Sequence, residues 1–262
     1  MFQLVLSISF FILVSSSSVP LYKYSILNTY SHSSNDYTQG LEYISENILI
    51  QSAGRYGSSY LQKLDFPSMS VLQEFPLSSV YFAEGITILN NKIYQLTWKE
   101  KKMFIYSIDL VLEEIAYITE PIKEGWGMCN DGTNLYISDG TSYIYKIDPL
   151  SYEIISSIRV HQDNKYIKSI NELEWVDGEI WANIYYSKYI VRIDPDNGDV
   201  IGWIDLAGLE TGEKMHWYSG YVLNGIAVYG DKIFVTGKCW ENLYEIELIY
   251  HDSVSEAPKL KD

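Results

Sequence analysis

A chain of 262 residues, 47% hydrophobic and 20% charged, holds ample material for a core and accommodates one large all-β domain or two smaller ones. Its formal net charge of −15 speaks against a nucleic-acid partner, which would be repelled rather than recruited. Two cysteines (Cys129, Cys239) and four scattered histidines (His32, His161, His216, His251) show no zinc-ligand spacing, which sets aside a histidine-based zinc site.

Phe2 to Val14 is almost wholly apolar, and the small residues Ser15 to Ser18 follow it. The run is too short to span a membrane, and its positive end is the amino terminus alone. It reads as a secretory signal over residues 1–18, which sends the protein into the secretory lumen or out of the cell, with no membrane anchor after cleavage. Residues 19–262 are expected to form a single domain acting as a monomer. A domain of this size needs no disulfide to build a core, so the two thiols are expected to be buried and inert, with a bridge between them left open.

Beyond Val19 no window keeps a helical period. The 24 tyrosines and many isoleucines and valines suit strands, and apolar runs of about four to eight residues alternate with Asn-Asp-Gly turn clusters. Residues Leu21 to Asn28 come first and are expected to pair with the last repeat as its outermost strand. Five segments then recur, about 42 to 53 residues apart: Gln39-Gly40-Leu41, Glu84-Gly85-Ile86, Trp126-Gly127-Met128, Asn171-Glu172-Leu173 and Asn224-Gly225-Ile226. Each leads through a turn to a second apolar strand, as in Ile93 to Leu96 or Ile233 to Thr236. A third strand ends near an acidic residue, and Asp148-Pro149 and Asp194-Pro195 then open turns into a fourth. Four strands per repeat and five repeats predict a five-bladed β-propeller, because a lone four-stranded sheet cannot bury both faces whereas sheets packed around an axis can. Leu206 to Tyr221, an insertion before the fifth repeat, is expected to cover the mouth as a lid or helix.

In such a ring the innermost strands run beside the axis, so equivalent positions far apart in sequence converge at one mouth. Here they carry Gln39, Glu84, Trp126, Asn171 and Asn224, four of them followed by glycine that lets backbone crowd the axis. The loops after the second strands add Arg55, Trp98, Asp139, Tyr185 and Lys238. Carboxylates, an ammonium, amides and aromatic faces around one opening match the make-up of a small-molecule site. A purely structural position should look alike in every repeat, as the glycine nearly does. These five differ chemically while their surroundings repeat.

At these same residues the chain resembles the plant and bacterial type of glutaminyl cyclase, a five-bladed propeller. The likeness is carried, in order, by Tyr37-Thr38-Gln39-Gly40-Leu41, Phe82-Ala83-Glu84-Gly85, Leu96-Thr97-Trp98, Glu124-Gly125-Trp126-Gly127, Ser138-Asp139-Gly140-Thr141, Asn171-Glu172-Leu173-Glu174, Ala182-Asn183, Leu223-Asn224-Gly225-Ile226-Ala227 and Thr236-Gly237-Lys238. The resemblance implies closure of an N-terminal glutamine to pyroglutamate with loss of ammonia, on peptides or proteins that begin with glutamine. It implies a catalytic carboxyl at Glu84, with Asn171, Trp126 and Lys238 around the reacting amide and Gln39, Phe82 and Trp98 lining the pocket. Tyr37 and Tyr185 stand where the family usually has phenylalanine and tryptophan, and both keep an aromatic wall.

The chemistry explains these residue types. Amine and amide already share one molecule, so the site need only fold the side chain into a near-attack pose. One carboxyl can take a proton from the amine and return it to the leaving nitrogen, while Trp126 N–H, the Asn171 amide or Lys238 faces the oxyanion. No step calls for a cofactor; a structural calcium in the central channel is compatible with the sequence and not required by it. Two other readings remain at this level. One is a metal-dependent propeller hydrolase of the lactonase kind, with Glu84, Asn171 and Asn224 as ligands. The other is a non-catalytic propeller that binds peptides.

Overall fold

The computed structural model describes residues 18–209 and 220–260. The expected signal segment up to residue 17 lies outside the described residues, as does the middle of the 206–221 insertion, His216 included. Among the described residues there is no α-helix; the chain is all-β.

An N-terminal strand, β1 (Val19–Ser31), precedes a meander of β2 (Thr38–Ser45), β3 (Ile48–Ala53), β4 (Tyr60–Asp65) and β5 (Ser70–Pro76). A second meander follows as β6 (Ala83–Leu89), β7 (Lys92–Thr97), β8 (Lys102–Ser107) and β9 (Leu112–Tyr117). The third comprises β10 (Met128–Asn130), β11 (Leu135–Ser138), β12 (Tyr143–Ile147) and β13 (Ile154–Arg159). A short hairpin of β14 (His161–Gln162) and β15 (Lys165–Tyr166) then leads into β16 (Ile170–Val176), β17 (Glu179–Ile184), β18 (Tyr189–Ile193) and β19 (Val200–Asp205). Last come β20 (Leu223–Tyr229), β21 (Lys232–Gly237) and β22 (Asn242–Val254).

The final three strands take β1 as their fourth. It pairs antiparallel with β22 from Ser31 opposite Asn242 to Val19 opposite Val254, as expected for residues 21–28. The sequence after Glu247 therefore extends the third strand of this unit instead of turning back as a fourth. The sequence did not foreshadow that β1 also pairs in parallel with β19, Leu21 opposite Trp203 and Tyr22 opposite Ile204. The last two units thereby merge into one eight-stranded sheet.

The first strands of the units touch in a closed cycle: β2 against β6, β6 against β10, β10 against β16, β16 against β20, and β20 against β2. The arrangement is compatible with a propeller. Inner strands are covered on both faces and read as nearly continuous buried runs, whereas the outer strands β5 and β9 are largely exposed. Polar side chains staple the inner strands together. Glu42 on β2 accepts the Ile88 N–H of β6 at 3.0 Å, and Asn130 beside it donates to Ile88 O and Thr87 Oγ1. Glu172 and Glu174 on β16 accept the Ile226 and Val228 N–H groups of β20, both at 2.9 Å. Burial pushes all three carboxyls above the ordinary range, Glu42 to about 8. Cys129 and Cys239 are both free thiols, and both are buried.

Candidate active site

Antiparallel hairpins bring the start of each first strand beside the end of its second. Backbone bonds lock these ends together: Gly54 N–H to Tyr37 O, Trp98 N–H to Phe82 O, Trp126 N–H to Ser138 O, Tyr185 N–H to Ser169 O and Lys238 N–H to Val222 O. At four of these ends the ladder slips. The register jumps between Thr38 and Gly40, Ala83 and Ile86, Ile170 and Leu173, and Leu223 and Ile226. Gln39, Glu84, Asn171 and Asn224 are thus bulge residues, freed from the alternation that governs the rest of the strand and re-aimed at the strand end.

There the ends surround a cavity of about 230 Å³. Gln39 and Tyr37 reach it from the start of β2, Phe82 and Glu84 from β6, Trp126 from the approach to β10, and Asn171 from β16. Trp98, Tyr185 and Lys238 reach it from the ends of β7, β17 and β21. The structure therefore brings nine of the ten expected site residues to one cavity. Asn224 is the exception. It is fully buried and donates its amide to Thr38 O at 2.9 Å and to Gln39 Oε1 at 3.4 Å, so it supports Gln39 from behind. Two residues of the second ring also turn elsewhere. Asp139 closes its own turn by accepting from Thr141, and Arg55 lines an adjoining cavity.

Aromatic rings form the walls. Tyr37 meets Phe82 edge-on at 6.3 Å, Phe82 meets Trp98 at 5.6 Å, and Trp126 meets Tyr185 at 5.6 Å. The Lys238 ammonium sits 4.9 Å from the Tyr37 ring centre and 4.8 Å from that of Tyr185, so it is held against two π faces. Burial pushes Lys238 down to about 8, with the Glu84 charge opposing. Burial likewise raises Glu84 well above the carboxylate range; Lys238 offsets part of the shift, and Glu124 and Glu100 add to it. An acid and a base, each nearly enclosed, thus have their titrations driven toward one another, the carboxyl upward and the ammonium downward.

Glu124 was not singled out as a site residue from the sequence. Its Oε2 accepts both Trp98 Nε1–H at 2.6 Å and Trp126 Nε1–H at 2.9 Å, fixing both indoles. The Trp126 N–H, expected to face the oxyanion, is already spent on this bond. Among the described residues no group of three or more His, Cys, Asp or Glu side chains is arranged to hold a metal ion.

A family model described as glutamine cyclotransferase matches residues 4–248. The glutaminyl-peptide cyclotransferase of Arabidopsis thaliana is 36% identical over 226 residues, which cover 85% of this chain and 70% of that protein. The crystal structure of Myxococcus xanthus glutaminyl cyclase is similar with a TM-score of 0.82 and 31% identity, covering 89% of this chain and all of that one. Sequence and fold agree over nearly the whole length, and the chain belongs to the glutamine cyclotransferase family of enzymes.

Proposed function

We propose that the protein closes the N-terminal glutamine of peptides and proteins to pyroglutamate with release of ammonia, acting as a secreted monomer. Its five meanders are then the blades of a propeller closed by β1. The observation that carries this reading is the buried pair Glu84 and Lys238 facing one aromatic-walled cavity with opposed pKa shifts.

Phe82, Trp98, Tyr37 and Tyr185 hold the glutamine side chain curled back, so that the α-amine nitrogen stands against the δ-carbon, the carbonyl carbon of the side-chain amide. As the new C–N bond forms, the Glu84 carboxylate takes a proton from the attacking amine. Lys238 and the Asn171 amide face the oxygen that becomes negative, since Trp126 N–H is committed to Glu124 and Trp126 serves as wall. Collapse of the tetrahedral intermediate breaks the bond to the amide nitrogen, which leaves as ammonia with the proton returned by Glu84. Gln39, held by Asn224, completes the polar floor. No cofactor enters these steps. Glu42, Glu172 and Glu174 on the inner strands each spend a carboxyl oxygen on a neighbouring N–H, and a structural calcium in the channel is not needed for the chemistry.

Ammonia release from a Gln-initiated peptide, before and after exhaustive chelation, tests the reading. Turnover is expected in both arms. A metal-dependent hydrolase would lose activity on chelation, and a folded protein that releases no ammonia from any such peptide would not be a cyclase.

The pKa shifts set a pH profile. Glu84 must be ionised to accept a proton, and burial delays that ionisation, so the acid limb of kcat is expected well above pH 4.5. Lys238 must be protonated to face the oxyanion, and its charge fades above about 8, which places the alkaline limb there. Because the two groups interact, the limbs belong to the pair. Lys238→Met is expected to erase the alkaline limb and to lower kcat by about 100-fold with a smaller change in KM. An acid limb at the ordinary carboxylate value, or an unmoved alkaline limb in the variant, would contradict the assignment.

A further inference from the structure

Only the first residue of a Gln-initiated peptide reacts, and the rest of the chain must leave the catalytic cavity through its mouth. Beside that mouth lies a second cavity of about 260 Å³ that shares Tyr37 as a common wall. Arg55 is the one charged side chain among its lining residues. The loop at residues 54–59, between β3 and β4, lines the second cavity and packs against two walls of the first. Tyr56 rests against Phe82 and Trp98, with ring centres 5.3 and 6.4 Å away, and Arg55 lies 5.1 Å from the Tyr37 ring centre. The loop is held in place before any substrate arrives. Ser59 Oγ accepts the Arg55 and Ala83 N–H groups, both at 3.0 Å, and donates to Arg55 O at 2.8 Å.

Arg55 is exposed, and its side-chain bonds go to uncharged partners: Tyr221 OH at 3.3 Å and the Cys239 thiol at 3.2 Å. Burial raises Cys239, so the sulfur stays protonated near neutral pH and does not cancel the guanidinium. Asp36, which accepts from the lining residue Tyr60, is buried, and its second oxygen is occupied by Gln51 Nε2. No described carboxylate forms an ion pair with Arg55. A guanidinium keeps five donors in a planar fork suited to a carboxylate, and here donors remain unspent beside Tyr37, the wall that the two cavities share. On the Trp98 side of the mouth the acids Glu100 and Glu124 stand with Lys99, whose ammonium lies 3.8 Å from the Trp98 ring centre, and Glu100 accepts from Tyr56 OH at 2.8 Å.

We propose that this second cavity receives the side chain of the substrate's second residue and that Arg55 selects a carboxylate there, so that peptides beginning Gln-Glu or Gln-Asp are preferred. The inference rests on the cyclase reading and adds a specificity that the reading does not contain. It runs against the overall charge of −15, which by itself favours cationic peptides, so a preference for acid at one position separates the local contact from the general field.

The test compares kcat/KM for Gln-Glu-Ala amide, Gln-Ala-Ala amide, Gln-Lys-Ala amide and Gln-Ala-Glu amide, with free Gln-Ala acid added to detect recognition of a terminal carboxylate. The Gln-Glu peptide is expected to exceed the Gln-Ala-Ala and Gln-Ala-Glu amides by about fivefold, and Gln-Lys to fall below them. Arg55→Ala should bring the Gln-Glu to Gln-Ala-Ala ratio to about one, and Arg55→Glu should invert it in favour of Gln-Lys. Equal rates across the amides, a preference that survives Arg55→Glu, or a gain confined to the free Gln-Ala acid would overturn the proposal while leaving the cyclase reading intact. Absence of ammonia from every peptide would sink both.

Discussion

Glu84→Gln is expected to lower kcat by about 1,000-fold while leaving the melting temperature unchanged or slightly higher. The carboxyl is 6% exposed at the bulged start of β6, faces the cavity, and makes no direct hydrogen bond that glutamine would break within the described structure. Glutamine keeps its shape and removes only the proton that has to travel. The stability sign follows from the shift. A carboxyl whose folded pKa lies above its unfolded value costs stability as pH rises from about 4.5 toward the folded value, because folding then opposes ionisation. Glutamine removes that cost, so the variant should gain on the wild type toward alkaline pH. It also removes the negative charge that props up Lys238, whose titration should move below about 8. Ammonia release and thermal melts recorded side by side check all three effects. Retention of more than about a tenth of the turnover would remove Glu84 from the proton path. A collapse of the melting temperature would show that its role is packing.

Why the cavity-lining positions were legible in sequence while some of their neighbours were not follows from the backbone. Gln39, Glu84, Trp126 and Asn171 stood out because they differ chemically at equivalent places of repeats whose surroundings recur, and the fold brings those places to one mouth. Asn224 carried the same signature and yet faces away. Gly225 adopts φ of 119°, which the other glycines of the series do not share, and a local string of letters does not record that turn of the backbone. Asp139 looked like a pocket residue from its place after β11, but an Asp followed by Gly-Thr finds nearer partners in its own turn. Glu124 stayed hidden because it precedes the repeat's polar position and has no counterpart in the other four units. Only the fold carries it between Trp98 and Trp126. The β1–β19 pairing was invisible for a related reason, since a long-range parallel contact leaves no local period to read.

Gly127→Ala should damage stability and catalysis together, through a contact between neighbouring inner strands. A Cβ at residue 127 would stand 1.9 Å from the Asn171 carbonyl oxygen and 2.8 Å from Glu172 Cα. These are backbone atoms, so no flexible side-chain end can swing aside. The same crowded spot holds a relay. Gly127 N–H donates to Ser138 Oγ at 2.8 Å, and that hydroxyl donates onward to Asn171 O at 2.7 Å. Pushing the third and fourth units apart breaks this link as well as the packing. Overpacking of about 3 kcal/mol with one buried hydrogen bond of about 1 kcal/mol lowers the melting temperature by roughly 10 °C. The atom struck belongs to Asn171, so the amide proposed to face the oxyanion is displaced too, and kcat is expected to fall by about 100-fold at temperatures where the variant is still folded. Gly132→Ala supplies the contrast. Its Cβ meets nothing within 4 Å, and only its φ of 83° is strained, so it should cost about 1 kcal/mol and leave kcat alone. If Gly127→Ala loses stability but keeps its turnover, then something other than the close approach of the third and fourth units holds Asn171 over the reacting amide.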